Sequence, residues 1–178
     1  ESALSQQLGI VRLPDSPGEE SYFTTETFRQ LEVDLLRFAR KASRHRQRFT
    51  LSDLQIQQAL RQCEQEKGFP LRDEQVQAML HATDGRQIAI IQGAAGTGKS
   101  ASLAAFRIAY SAAGHRVLGL APSGAAAAEL QKSAGIDSQT IHALLMRLES
   151  DNARKPFNLS NRDVIVLDEA GMVDTRTL

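Results

Sequence analysis

The chain has 178 residues, 42% of them apolar and 24% charged, with 21 lysines and arginines balancing 21 aspartates and glutamates. That size fits one ordinary domain, or a domain with a helical appendage, and the composition excludes an intrinsically disordered chain. The longest apolar runs, Ile88 to Ile91 and Val164 to Leu167, are far too short to span a bilayer, and the single Cys63 excludes an internal disulfide framework or a multi-cysteine zinc site, so a cytoplasmic protein with no membrane span is expected.

Residues 1–20, with Pro14, Pro17 and Gly18, read as an extended or mobile entry segment to which no fold is assigned. A helical N-terminal subdomain is expected over residues 21–68. Its first helix follows Thr24 and Thr25, where Phe28, Leu31, Leu35, Phe38 and Ala42 recur at three- and four-residue intervals and share a face. Charge is uneven along it. Between Leu35 and Ser52 stand Arg37, Arg40, Lys41, Arg44, Arg46 and Arg48 without one carboxylate, a run that suits either phosphates or a solvated helix end favoured by the macrodipole. A second helix starts at Ser52, with Gln55 placed to close a capping box, Leu51 and Ile56 at the staple positions, and Gly68 as the residue that ends it. A third, Arg72 to Thr83, is expected to turn Val76, Met79 and Leu80 inward.

After Gly85 the periodicity changes. Ile88–Ile91 reads as a strand, Lys99–Ala113 as a helix, Val117–Ala121 as a strand, Gly124–Ser133 and Gln139–Leu148 as helices, and Val164–Leu167 as a strand, with a surface loop over 151–161. Apolar strands alternating with helices imply an α/β fold with a parallel sheet, here assigned to residues 69–178.

Gly93-Ala94-Ala95-Gly96-Thr97-Gly98-Lys99-Ser100 lies between the first of these strands and its helix and matches the phosphate-loop pattern. Glycines let the backbone wrap its amides around phosphates, and the positive end of the helix adds to the same field. Lys99 is expected to reach the β- and γ-phosphates of ATP and Ser100 to ligate Mg²⁺. The last strand ends in Asp168-Glu169. Asp168 would hold Mg²⁺ through its water shell, and Glu169 would orient and deprotonate the attacking water. No pair of histidines has metal-binding spacing; His45, His81, His115 and His142 stand apart.

Together these segments resemble superfamily I helicases of the RecD-like, 5′-to-3′ type, and among them the helicase part of MobF-type conjugative relaxases. Tyr22 to Glu26 with Leu31 to Leu36 looks like the helical segment ahead of the motor, and Leu71 to Ala78 like the Q motif, in which Gln75 would read adenine. Gly119 to Ala127 resembles motif Ia, Ser138 to Leu145 the element after it, and Leu167 to Val173 motif II. The resemblance implies an incomplete P-loop NTPase (RecA-like) parallel sheet preceded by a small helical domain, because the strand between those of the phosphate loop and of Asp168 follows motif II in this family. It also implies single-stranded DNA as partner, met by Pro122, Ser123, Gly124, Thr140 and His142. The remainder of the same polypeptide would supply a second RecA-like domain and a relaxase domain, so negligible unwinding is expected of these residues alone. Plainer roles stand beside these: a polar helix position for Gln75, a capped turn at Pro122 to Gly124, a cap at Thr140 and a packed or hydrogen-bonded His142. A RecD-like repair helicase and a non-hydrolysing DNA-binding platform are the alternative functions.

Overall fold

The computed structural model describes residues 9–13, 22–46, 50–93, 98–149 and 157–177. Strand β1 (Ile10–Arg12) pairs antiparallel with β2 (Phe23–Thr25), Ile10 facing Thr25 and Arg12 facing Phe23. Strands of three residues carry too little alternation to announce themselves, so this ribbon is silent in the sequence. Helix α1 (Glu26–Arg44) begins where Thr25 accepts the Phe28 amide N–H at 3.2 Å. Its apolar stripe forms as expected but is not covered by the core. Phe38 is 64% exposed, Leu31 is exposed as well, and Ala42 alone is buried. The helix is tied down near its ends, since the Phe28 ring lies 5.9 Å from the Arg176 guanidinium and the Gln87 amide donates to the His45 carbonyl at 3.3 Å.

Helix α2 (Asp53–Lys67) follows its sequence signals closely. Both halves of the Ser52–Gln55 capping box are made, Gly68 ends the helix at φ 76°, and Leu51 and Ile56 are both buried. Ile56, Ala59 and Cys63 form the inward face, which lies on α4 (Lys99–Ala112) together with α3 (Asp73–Ala82). Alanines at 101, 104, 105 and 109 keep α4 thin enough for these helices to approach it. In α3 the inward positions are Gln75 and Met79, while Leu80 is exposed, contrary to the expected face. A polar residue takes the place of an apolar one there because its amide has partners to satisfy, as described below.

The sheet has β3 (Arg116–Ala121) at its centre, with β4 (Asp137–Thr140) on one side and β5 (Asp163–Leu167) on the other, all parallel. Helix α5 (Gly124–Ala134) and β4 both crowd β3 at Gly119, where a Cβ would stand 2.1 Å from Ser138 Oγ of β4 and 2.9 Å from a Leu130 methyl of α5. Helix α6 (Ile141–Glu149) starts two residues later than its periodicity suggests, because Gln139 and Thr140 belong to β4. β4 reads Asp-Ser-Gln-Thr, a polar sequence that an edge strand tolerates and a hydropathy pattern misses.

Among the described residues Ile88–Ile91 forms no ladder, against the strand expected there, and Ile90 is 77% exposed. Among the described residues the far edge of β5 is unpaired as well, with Ile165 at 45% exposure. A strand in a parallel sheet needs hydrogen-bonding neighbours, and the three-stranded ladder ends at β5 before reaching this segment. At the start of that ladder Arg116 donates to both oxygens of Asp163, at 2.6 and 2.9 Å. This pair, helped by the Ser160 amide, holds the Asp163 carboxyl down at about 2.

Candidate functional site

The connectivity of the sheet aligns the amino end of α4 with the carboxyl ends of the strands. Helix α4 turns through Gly114 into β3, and its side chains share one core with Val117 of β3 and Val166 of β5. It therefore runs back along the strands and starts on the edge where they finish, the edge at which folds of this class bind ligands.

At that start Gly98 caps the helix with φ 81° and supplies no side chain, so the first amides of α4 have no side-chain cap. Two constraints demand glycine. The backbone is left-handed, and a Cβ would stand 2.0 Å from Gln75 Nε2. Lys99, the first helical residue, donates from Nζ to the Gly93 carbonyl at 2.5 Å and so links the two ends of the loop. Ser100 follows in the first turn, half-buried. Ala94, Ala95, Gly96 and Thr97 lie outside the described residues.

Gln75 is 7% exposed. Its Oε1 accepts the Arg72 amide N–H at 2.9 Å and its Nε2 donates to the Gly98 carbonyl at 3.2 Å, so one side chain closes the start of α3 and braces the end of the phosphate loop. Beneath the same turn, the buried Cys63 Sγ contacts the Ala101 carbonyl at 3.6 Å, and burial pushes its thiol pKa up, as suits an inert packing residue.

Asp168 and Glu169 sit where β5 leaves the sheet. The Asp168 amide donates to the Leu120 carbonyl at 2.9 Å, continuing the ladder by one bond, and Asp168 Oδ1 accepts the Glu169 amide N–H at 2.9 Å. Glu169 is exposed and adopts φ 51°, ψ 37° at the head of a short 3₁₀ turn, Ala170–Met172. It is the only non-glycine with positive φ among the described residues. Such a backbone costs on the order of 1 to 3 kcal/mol and clusters at working sites.

The neighbouring strands end at the other expected residues. Beyond β3, Pro122 leads into Ser123, whose Oγ caps α5 through the Ala126 amide at 3.2 Å, and Gly124 faces open space. Beyond β4, Thr140 Oγ1 accepts the Ala143 amide N–H at 3.1 Å and caps α6. The cap roles are thus present at both turns. His142 is exposed, which removes the packed-core reading. Among the described residues no three His, Cys, Asp or Glu side chains gather as a metal cage. Ser100 and Asp168 offer hard oxygen donors, a set that suits Mg²⁺, which takes few protein ligands beside phosphate oxygens and water.

Sequence reasoning missed one feature. A cleft of about 360 Å³ adjoins the loop, lined by Gln75, Gly98 and Ser100 and walled by Phe69, Lys67 and Lys132. Phe69 keeps its ring half-exposed between the Gly68 turn and Pro70. An aromatic ring between a helix-ending glycine and a proline, in a chain with few aromatics, is the signal the sequence held for it.

Residues 70–178 match the family described as AAA domain. A probable conjugal transfer protein TraA of Sinorhizobium fredii (strain NBRC 101917 / NGR234) is 43% identical over 108 residues, 61% of this chain and 9% of that protein. The conjugal transfer proteins TraA of Rhizobium radiobacter and of Agrobacterium fabrum (strain C58 / ATCC 33970) are 37% and 38% identical over the same length, 61% of this chain and 10% of theirs. The matched stretch spans about a tenth of the length of these relatives. Among the described residues no helix is long and apolar enough to cross a membrane.

Proposed function

The chain belongs to the AAA domain family, and from that premise we propose that it is the nucleotide-binding part of a motor that hydrolyses ATP to move 5′ to 3′ along single-stranded DNA during conjugative transfer. One observation carries this reading. The uncapped start of α4, bridged by Lys99 to Gly93, opens on the same edge of the sheet as the Asp168-Glu169 pair.

In this proposal the Lys99 ammonium exchanges the Gly93 carbonyl for the β- and γ-phosphate oxygens, and the amides of α4 add their dipoles. Ser100, and Asp168 through its water shell, would hold Mg²⁺, which when bound neutralises phosphate charge. Glu169, exposed and presented by its left-handed backbone, accepts the proton of the attacking water. The base lies in the cleft against Phe69, within reach of Gln75, so reading the base and bracing the loop fall to one amide. Pro122, Ser123, Gly124, Thr140 and His142 meet the DNA strand on the same edge. The remainder of the polypeptide supplies the second RecA-like lobe and the relaxase domain, and the whole acts in the cytoplasm.

The test is DNA-stimulated ATPase of the complete protein. Lys99→Ala is expected to weaken nucleotide binding, and Glu169→Gln to retain binding while losing hydrolysis. Unchanged turnover in Glu169→Gln would favour a strand-holding platform and remove the motor assignment.

A further inference from the structure

We propose that the C-terminal half of α1 is a second contact for the phosphate backbone of single-stranded DNA, separate from the carboxyl edge of the sheet. The partner class rests on the DNA reading above; the location rests on the helix itself. Arg37, Arg40 and Arg44 recur at three- and four-residue spacing, which aligns them on one face over about 10 Å, with Lys41 beside them. All four are exposed, as is Arg46. Arg37 has a carboxylate partner, Asp34 at 3.3 Å, while Arg40, Lys41, Arg44 and Arg46 have none among the described residues.

Folding alone does not account for this stripe. The macrodipole favours cations by about 0.3 to 1 kcal/mol, and only within the last turn, whereas Arg37 lies well before it. Arg37 with Lys41 and Arg40 with Arg44 are like-charge pairs four residues apart, an arrangement that destabilises an isolated helix. A polyanion on this face offsets that repulsion. The stripe is also anchored. Arg46 bridges Arg86 and the Gln87 amide bonds to His45, which fixes the basic end beside the start of the segment that runs through Ile88–Ile91 to Gly93. A strand held there lies at the far end of that segment from the phosphate loop. The exposed Phe38, three residues before Lys41, adds a ring on which a base can stack. An amphipathic basic helix also suits anionic lipid, but α1 is held near both ends by Arg176 and by residues 86–87, which leaves its apolar face poorly free to enter a bilayer.

The experiment measures anisotropy of labelled oligothymidylate with the complete protein over a range of salt concentrations. Arg40→Gln combined with Arg44→Gln is expected to flatten the slope of log affinity against log salt by about 1.4 and to weaken binding roughly tenfold at low salt, from the release of about 0.7 counterions per phosphate contact. Arg40→Lys with Arg44→Lys should restore most of both. Thermal melting should not fall and the affinity for a fluorescent ATP analogue should not change, and Lys99→Ala should leave the slope intact while weakening nucleotide binding. If the double variant melts early, Arg44→Gln alone should give half the slope change. An unchanged slope overturns the proposal. So does binding of anionic vesicles lost in the double variant while DNA affinity holds, or wild-type DNA binding that ignores salt.

Discussion

Helices α1 and α4 are both expected from the sequence, yet they end in opposite environments. Helix α4 buries eight of its fourteen residues, with α2 and α3 against it and the sheet on another side. Helix α1 buries one residue of nineteen. Periodicity states that a face is able to be covered. It does not say that the cover lies within the same packed body. The small residues of α4 are the discriminating signal, because a helix rich in alanine has little reason to be built that way unless neighbours come close on several sides.

The largest effect that should sharpen this contrast is at Met79, fully buried among the helices around α4. Met79→Ala is expected to cost about 2 to 5 kcal/mol in denaturant unfolding. An effect no greater than that of a surface substitution would mean that the α2–α3–α4 layer is not the core. Next is Gly98→Ala, which meets both the left-handed backbone and the Gln75 amide. It should lower stability by about 1 to 3 kcal/mol and weaken nucleotide binding, and combining it with Gln75→Ala should recover part of the stability by removing the clash. A variant indistinguishable from wild type in both assays would show that the brace is not made.

A smaller effect concerns the ladder that holds Asp168 in place. Arg116 holds the Asp163 carboxyl at about 2, below its ordinary value of 3.8. A lowered carboxylate pKa contributes stability that is complete above the unfolded value and is lost as pH falls through the folded one. Arg116→Gln should therefore erase the part of acid destabilisation that falls between pH 4 and 2. The amount is about 1 kcal/mol, since Arg116 itself is half-exposed and solvent screens the pair. Identical acid profiles would contradict the pairing. Smallest of all, Phe38→Ser on α1 should change stability by no more than about 0.5 kcal/mol. A loss of several kcal/mol would show that this face is covered after all.

Much of the site was legible because its chemistry is local. The phosphate loop, the Ser52 box, the Ser123 cap and the apolar strand ending in Asp168-Glu169 each need only a few adjacent residues of the right type. What escaped depends on distant partners. β4 is polar and becomes a strand only because β3 lies beside it, whereas Ile88–Ile91 is as apolar as a buried strand should be and lacks a strand partner among the described residues. Gln75 reads as a recognition residue in sequence. Its hydrogen bond across 23 positions to Gly98 gives it a structural task that no short motif encodes. The left-handed backbone of Glu169 was equally invisible, since glutamate is not a residue that announces positive φ.

The most direct measurement is titration of a fluorescent ATP analogue, with Mg²⁺, into the wild-type protein and Lys99→Ala. Loss of one charge-assisted phosphate contact should weaken binding by about 2 to 3 kcal/mol, roughly 30- to 150-fold. Equal affinity of the two proteins would contradict a phosphate site at the start of α4.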